Sequence, residues 1–217
     1  MFLYRTKPTQ TEIERVLAAS QSLPYNYPDV GATNALINAP ELSTTYVMDH
    51  NRVLLGRGEA TFARARQAIM HWRMCNLGWA TICGRVEPIA TGTVIACVPQ
   101  MFGLWLVNPC RVVYTIDETN HDISRFGLAY GTLPGHAAAG EERFMVEWHH
   151  ADDTVWYDIV AFSKAGGPLA QLGYPVMRRF QLRYGRHSAQ AMVDACAVKG
   201  VSHSFGITAK DHLNRPV

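Results

Sequence analysis

Six strand-like runs follow one another between residues 80 and 163, and this succession constrains the fold more than any other feature. Each run is rich in Val, Ile, Trp, Tyr or Phe. They cover residues 80–89, 93–99, 104–117, 126–132, 141–149 and 154–163. Short turn-forming segments such as Thr91-Gly92 and Asp152-Asp153 separate them. Because a parallel crossover needs a dozen or more residues, these short connections predict an antiparallel meander.

Helical patterns lie on both sides of the strand-like runs. Residues 9–20 read as a helix that opens with a Thr9–Glu12 capping box, and residues 59–74 carry a wide apolar helical face. A last helix is predicted from Pro168 to about residue 197. Pro175 and Gly185 should kink or interrupt it.

A short strand at residues 52–56 completes the set of elements and gives about seven strands. A twisted antiparallel sheet of this size buries one face, and a long helix is its natural cover. We therefore predict an α+β fold, with a single curled antiparallel sheet gripping a long C-terminal helix. Residues 1–198 should form one domain, in which residues 1–50 pack on a core of residues 51–198. Residues 199–217 read as a flexible tail.

Composition excludes several classes of protein. Hydrophobic residues make up 48% of the 217 residues, and the net charge is only +2 without long charged runs, which argues against a nucleic-acid binder. No apolar run is long enough to predict a membrane-spanning helix. The N-terminus lacks the apolar stretch of a secretory signal, and the five cysteines form no CxxC pair. We expect a cytoplasmic protein without a metal or cofactor; the oligomeric state stays open.

Several motifs resemble the DUF1990 family, a domain of unknown function. They are Tyr25-Asn26-Tyr27-Pro28, Val30-Gly31-Ala32-Thr33, Leu55-Gly56-Arg57-Gly58, Asn108-Pro109-Cys110-Arg111, Tyr130-Gly131-Thr132-Leu133-Pro134-Gly135-His136, Gly140-Glu141-Glu142-Arg143-Phe144 and Arg179-Phe180-Gln181. The resemblance supplies no catalytic residues. This chain has Ala137-Ala138 where the family pattern has Pro-Glu, which removes a carboxylate from that turn.

The order of elements resembles the helix-grip fold of the START and birch-pollen-allergen superfamily. In that fold a seven-stranded sheet grips the C-terminal helix. The resemblance implies a cavity between sheet and helix, where members of the superfamily commonly hold apolar ligands. One fold hosts many functions, so the site has to be argued from its own residues.

Side chains alternate across a strand, so residue parity separates the two faces of the sheet. In the run 141–149, parity places Glu142 on the aromatic face. We expect Glu142, His136 and Tyr130, with Asp158 as a fourth candidate, to converge near one cavity mouth as acid–base groups. A carboxylate beside apolar walls has a raised pKa and can move protons near neutral pH. The alternative is a hydrogen-bonded turn, in which Glu142 pairs with an arginine (Arg179 or Arg111) and His136 caps backbone.

Three hypotheses about function stay open. The first is a module that binds a small apolar or amphipathic molecule. Its predicted binding residues are Tyr25, Tyr27, Phe126, Phe144, Trp148, Trp156 and Arg179. The second is an enzyme of the cyclase, dehydratase or hydrolase type that uses the same cavity. The third is a structural or interaction protein with a filled core.

Overall fold

A single antiparallel sheet organises the computed structural model, which describes residues 1–34, 40–85, 87–167, 171 and 173–197. Within these residues the chain forms eight strands and three α-helices. In chain order they are β1 (Phe2–Tyr4), α1 (Gln10–Ser20), β2 (Val47–Arg57), α2 (Glu59–Met70), β3 (Ala80–Gly84), β4 (Val94–Met101), β5 (Leu104–Thr119), β6 (Ile123–Thr132), β7 (Ala138–His149), β8 (Thr154–Ala165) and α3 (Tyr174–Cys196).

The strands are hydrogen-bonded in the order β2-β8-β7-β6-β5-β4-β3, and β1 pairs with β5 off this path. Every described pairing is antiparallel. The predicted meander is visible in the unbroken sequence of neighbours from β3 to β8. Because α3 lies across this sheet and contacts β2 and β8, the predicted α+β fold class is confirmed.

One face of the sheet, here called the inner face, is covered by α2 and α3. Its core joins Ile69 of α2 and Met192 of α3 to the strand residues Leu128, Phe144 and Tyr157, all of which are buried. This burial of apolar side chains is the main stabilising contribution to the fold. The inner face therefore has the sheet-against-helix core that the sequence pattern predicts.

The opposite face of the sheet, here called the outer face, is also covered. Ile13, Val16 and Leu17 of α1 pack on strands β4 and β5. Residues 25–34, here called the aromatic loop, lie over strands β7 and β8, where Tyr27 contacts Phe162. A sheet buried on both faces does not show clear hydrophobic alternation along its central strands, and this affects the prediction of site residues below.

The helices differ in detail from the predicted ones. Helix α1 has the predicted capping box between Thr9 and Glu12. Helix α2 ends at Met70, earlier than predicted, and Trp72 follows in the left-handed region. No helix in the described part of the chain is both long enough and apolar enough to cross a membrane.

Helix α3 runs from Tyr174 to Cys196, and a turn at residue 173 lies between it and the helical residue 171. The predicted interruption near Pro175 is therefore present, whereas the predicted interruption at Gly185 is wrong. Pro175 lies in the first turn, where its missing N–H removes no helical hydrogen bond. Gly185 lies mid-helix, and a Cβ there would come within 2.8 Å of the Asn51 side chain. This glycine permits close approach of α3 to β2. The predicted start at Pro168 lies outside the described residues.

Strands β3 and β2 differ most from their predicted bounds. Strand β3 ends at Gly84 instead of residue 89. Strand β2 begins at Val47 and pairs with β8 along its length. The sheet therefore includes residues 47–50, which the sequence pattern placed in the N-terminal segment.

Candidate ligand pocket

A pocket of about 170 Å³ lies between α3 and the inner face of the sheet. Its walls come from strands β4 to β8, β2 and helix α3, and most of the wall side chains are apolar. Representative wall residues are Trp79, Leu106, Ile159, Met177, Phe180 and Tyr184. The volume is close to the ~150 Å³ of a protein cavity that takes up one benzene molecule. The pocket therefore fits a small molecule and not a long lipid chain.

Glu142 is the carboxylic acid at the centre of this wall. It sits on β7 directly opposite Tyr130 of β6 and Ala161 of β8. The Tyr130 hydroxyl donates a hydrogen bond of 2.8 Å to its carboxylate. Within the described residues, no ion pair includes Glu142. The alternative in which Arg179 or Arg111 neutralises Glu142 is therefore not what the structure contains.

The pKa of Glu142 is raised to about 7. Burial is the main cause, the hydrogen bond from Tyr130 partly opposes it, and the nearby Asp49 charge raises it further. Near neutral pH this carboxyl group is therefore divided between its acid and carboxylate forms. Such a group can both accept and donate a proton.

His136 also borders the pocket, from the turn between β6 and β7. Its Nδ1 accepts a hydrogen bond of 2.8 Å from the backbone N–H of Ala138. Burial lowers the pKa of His136, to about 4. The imidazole is thus neutral near pH 7 and caps backbone, which was the alternative interpretation of this residue. The structure does bring Tyr130, His136 and Glu142 together at one pocket.

Helix α3 contributes polar groups that the sequence interpretation did not assign to the site. The Gln181 Nε2 donates to Ser163 Oγ at 3.0 Å, while its Oε1 is buried without a partner in the described part of the chain. The buried Tyr184 hydroxyl has the Cys75 thiol beside it as a hydrogen-bonding neighbour. Met177, Gln181 and Tyr184 follow helical spacing, and that period was the signal that could have identified this wall.

Half-buried aromatic rings form the rim of the pocket. The Trp79 ring lies 5.9 Å from the Phe180 ring and 6.2 Å from the Tyr184 ring, between centroids. The Arg183 guanidinium stacks 4.7 Å from the Trp79 ring centroid. Phe102, at the tip of the β4–β5 hairpin, is 78% exposed and contacts Phe180. The rim is thus aromatic, with a positive charge on one face of Trp79.

Asp158 does not join the pocket, because it lies on the outer face of β8. It accepts hydrogen bonds from Arg143 at 2.8 Å, His50 at 2.8 Å and Arg52 at 3.1 Å. Burial alone would raise the pKa of Asp158, but the interactions with His50 and Arg143 outweigh it and lower the pKa to about 2. The group is therefore a structural ion-pair partner. Residue parity along β8 does not assign Asp158 to the correct face, because both faces of this strand are buried.

Tyr25, Tyr27 and Trp156 also lie on the outer face. The Tyr27 hydroxyl donates to the Glu141 carboxylate at 2.7 Å, and the Tyr25 ring stacks under the Arg111 guanidinium. The Trp156 ring holds the Arg52 guanidinium 5.2 Å from its centroid. These rings anchor the aromatic loop and the outer ion pairs, away from the pocket.

Glu141 is the centre of the outer-face contacts. Besides Tyr27, it accepts hydrogen bonds from the backbone N–H groups of Gly31 at 2.7 Å and Thr33 at 3.0 Å, and from the Thr33 hydroxyl. Tyr27 reaches this carboxylate over Gly131, where a Cβ would lie 2.0 Å from the Tyr27 hydroxyl. A glycine at position 131 is thus required by close approach.

The other predicted binding residues lie on or near the inner face but outside the pocket wall. Phe144 is fully buried in the inner core. Phe126 and Trp148 lie further along the sheet beneath α2, under Arg66 and Phe62 respectively. Arg179 is exposed on α3. Among the residues that the structure describes, no group of three or more His, Cys, Asp or Glu side chains could hold a metal ion.

Comparison with known families gives one match over most of the chain. Residues 26–191 match the domain of unknown function DUF1990. A UPF0548 protein of Dictyostelium discoideum is 30% identical over 207 residues, which cover 90% of this chain and 95% of the relative. A UPF0548 protein of Arabidopsis thaliana is 34% identical over 152 residues, covering 68% of this chain and 72% of the relative.

Solved structures give more distant likenesses. The hypothetical protein jhp0584 of Helicobacter pylori aligns with a TM-score of 0.47 at 14% identity, over 70% of this chain and 88% of that one. Ara h 8.0201 aligns with a TM-score of 0.42 at 11% identity, over 69% and 99% of the two chains. Likenesses at this level carry no inference about ligand or chemistry.

Proposed function

We propose that this chain, which belongs to the DUF1990 family, binds a small amphipathic molecule in the pocket between α3 and the inner face of the sheet. The observation that carries the proposal is the environment of Glu142. This carboxyl group borders an apolar pocket, is hydrogen-bonded to Tyr130 and has no ion pair in the described part of the chain. A desolvated carboxyl group costs free energy unless a partner compensates it, and a polar ligand group would supply that partner.

An unpaired group on α3 supports the same proposal. Gln181 Oε1 is buried in the pocket wall without a hydrogen-bond partner among the described residues. Buried polar atoms are nearly always hydrogen-bonded in folded proteins. Ligand sites typically combine apolar walls with a few convergent polar groups of this kind.

Native mass spectrometry of the purified protein, followed by denaturing extraction, tests the proposal. We expect a bound small molecule of about the size of one ring with a short polar arm. The matched variants are Ala161→Leu, which adds a side chain opposite Glu142, and Ala19→Leu on the exposed side of α1. Ala161→Leu should lose the bound mass and Ala19→Leu should keep it. A mass that survives in a folded Ala161→Leu variant would place the ligand elsewhere and overturn the proposal.

Acid–base catalysis on the bound molecule is the second candidate, and the pKa of Glu142 favours it. A pKa of about 7 beside a tyrosine hydroxyl suits a group that exchanges protons near neutral pH. Once the ligand is known, prolonged incubation with wild type and Glu142→Gln separates the two functions. Conversion by wild type alone supports catalysis, whereas an unchanged ligand with both proteins supports binding.

A further inference from the structure

The charged residues that border the pocket in the described part of the chain are acidic. Asp49, Glu141 and Glu142 are the acidic residues that border it, and no Lys or Arg borders it in the described part of the chain. The Glu141 carboxylate is bound by donors on the outer face. Asp49 is already paired with Arg178 of α3. Among the described residues, Glu142 accepts a side-chain hydrogen bond only from the neutral Tyr130 hydroxyl. When ionised, Glu142 is therefore a pocket carboxylate with neither a counter-ion nor the set of donors that surrounds Glu141.

The neighbouring groups also favour a ligand that donates hydrogen bonds. Gln181 Oε1 is an unpaired buried acceptor in the wall, and it is held in place because the Gln181 Nε2 donates to Ser163. A carboxylate and an amide oxygen both accept hydrogen bonds and cannot satisfy each other. An ammonium group carries three donors and no acceptor, so it complements both.

The aromatic rim suits the same chemistry. The rings of Phe180 and Tyr184 both lie near the Trp79 ring at the pocket, at 5.9 and 6.2 Å between centroids. The face of an aromatic ring attracts cations, and one face of Trp79 already holds the Arg183 guanidinium. A cation that enters past this rim leaves water for aromatic surfaces before it reaches the carboxylate.

We infer that the ligand is a small primary amine bound as its ammonium ion, with Glu142 as the counter-ion and an apolar body of about one ring. The inference rests on the proposed function, because it names the class of molecule for the same pocket. The volume of about 170 Å³ allows a six-membered ring with a one-carbon amino arm. Neutral His136 offers no competing positive charge.

Three probes of matched shape test the inference: benzylamine, benzyl alcohol and benzoate. Isothermal titration at about pH 8, where Glu142 is ionised, should rank benzylamine first. We expect benzylamine to bind at least ~10-fold more tightly than benzyl alcohol, a difference typical of one desolvated charge-assisted hydrogen bond. Benzoate should not bind measurably, because two carboxylates would meet in the pocket.

Glu142→Gln supplies the matched variant, since it keeps the shape and removes the charge. Glu142→Gln should bind benzylamine and benzyl alcohol with about equal affinity, and benzyl alcohol should still bind. Glu14→Gln, at an exposed position of α1, should keep the preference and so controls for the overall charge of the protein. Circular dichroism of each variant verifies that it is folded.

The outcomes separate the inference from the proposed function. Equal affinities of benzylamine and benzyl alcohol would overturn the ammonium inference and leave the pocket as a binding site. A preference for benzylamine that persists in Glu142→Gln would place the counter-ion elsewhere and also overturn the inference. If neither probe binds and native mass spectrometry finds no bound mass, both the inference and the proposed function fail.

Discussion

Glu141 and Glu142 are neighbours in the chain and opposites in the fold. Glu141 points to the outer face, where four hydrogen bonds from the aromatic loop surround its carboxylate. Glu142 points to the inner face, where one tyrosine hydroxyl is its hydrogen-bond partner. The same side chain is therefore a structural anchor in one position and a pocket acid with a single hydrogen-bond partner in the next.

The difference shows how a sheet buried on both faces can separate stability from function. On the outer face, acids are matched by donors, as with Glu141 and with Asp158 beside Arg143. Hydrogen bonds to a charged group stabilise that charge. On the inner face the compensation is incomplete, and the protein bears the desolvation cost of Glu142 at its pocket. Incomplete compensation of this kind is typical of functional sites.

The largest expected effect on stability comes from removing the charge of Glu141. Glu141→Gln replaces one acceptor oxygen by an NH₂ group that meets the donors of Tyr27, Gly31 and Thr33. We expect a loss on the order of 4 kcal/mol in the free energy of unfolding, measured by urea denaturation. Glu142→Gln is the matched control and should cost less than about 1 kcal/mol near pH 7. Equal losses in the two variants would break the comparison.

A smaller effect should appear in the pH dependence of stability. The pKa of Glu142 is about 7 in the fold against 4.5 for the free group, so the folded state binds the proton more tightly. The stabilisation is then complete below about pH 4.5 and is lost as the pH rises through 7. The difference in unfolding free energy between wild type and Glu142→Gln should change by up to about 3 kcal/mol across this interval.

Denaturation curves of both proteins at a series of pH values measure this change. Taking the difference between the two proteins removes the contribution of His136. The lowered pKa of that residue acts in the opposite direction, since it destabilises the fold as the pH falls below about 6.5. A difference that stays flat from pH 4.5 to 8 would show that Glu142 is well solvated.

The smallest expected effect is the difference in stability between variants of Tyr27 and Tyr130, which donate hydrogen bonds to Glu141 and Glu142 respectively. Tyr27→Phe removes a donor from a buried carboxylate and should cost about 2 kcal/mol. Tyr130→Phe should cost less than about 1 kcal/mol at pH 5, where Glu142 is protonated and neutral. Thermal unfolding of both variants at pH 5 gives the comparison. A larger loss for Tyr130→Phe would reverse the roles assigned to the two faces.

Much of the fold follows from local patterns in the sequence. The capping box at Thr9 begins α1 as predicted, and the runs of β-branched and aromatic residues mark strands β3 to β8. These patterns depend on neighbours a few residues apart, so they are visible without the tertiary structure. The end of α2 is harder to predict from the sequence, because the left-handed conformation of Trp72 is stabilised by tertiary packing in the inner core.

The site residues could be predicted only where the alternation of side chains along a single strand was sufficient to assign them to a face. Parity along β7 correctly places Glu142 with Phe144 on the inner face. It fails on β8, where Trp156 and Asp158 alternate with Tyr157 and Ile159, because Trp156 is half-buried and the other three are buried. Periodicity gives two sets of residues but does not say which set faces α3. Deciding this requires the register of β8 against β7, which no short pattern encodes.

The close approach at Gly131 has a consequence for how this sequence can diverge. Because a methyl group there would occupy the position of the Tyr27 hydroxyl, positions 27 and 131 cannot vary independently. A chain that exchanges Gly131 for a larger residue has to shorten residue 27 as well, and it then loses one of the bonds to Glu141. We expect these three positions to change together or not at all among homologous sequences.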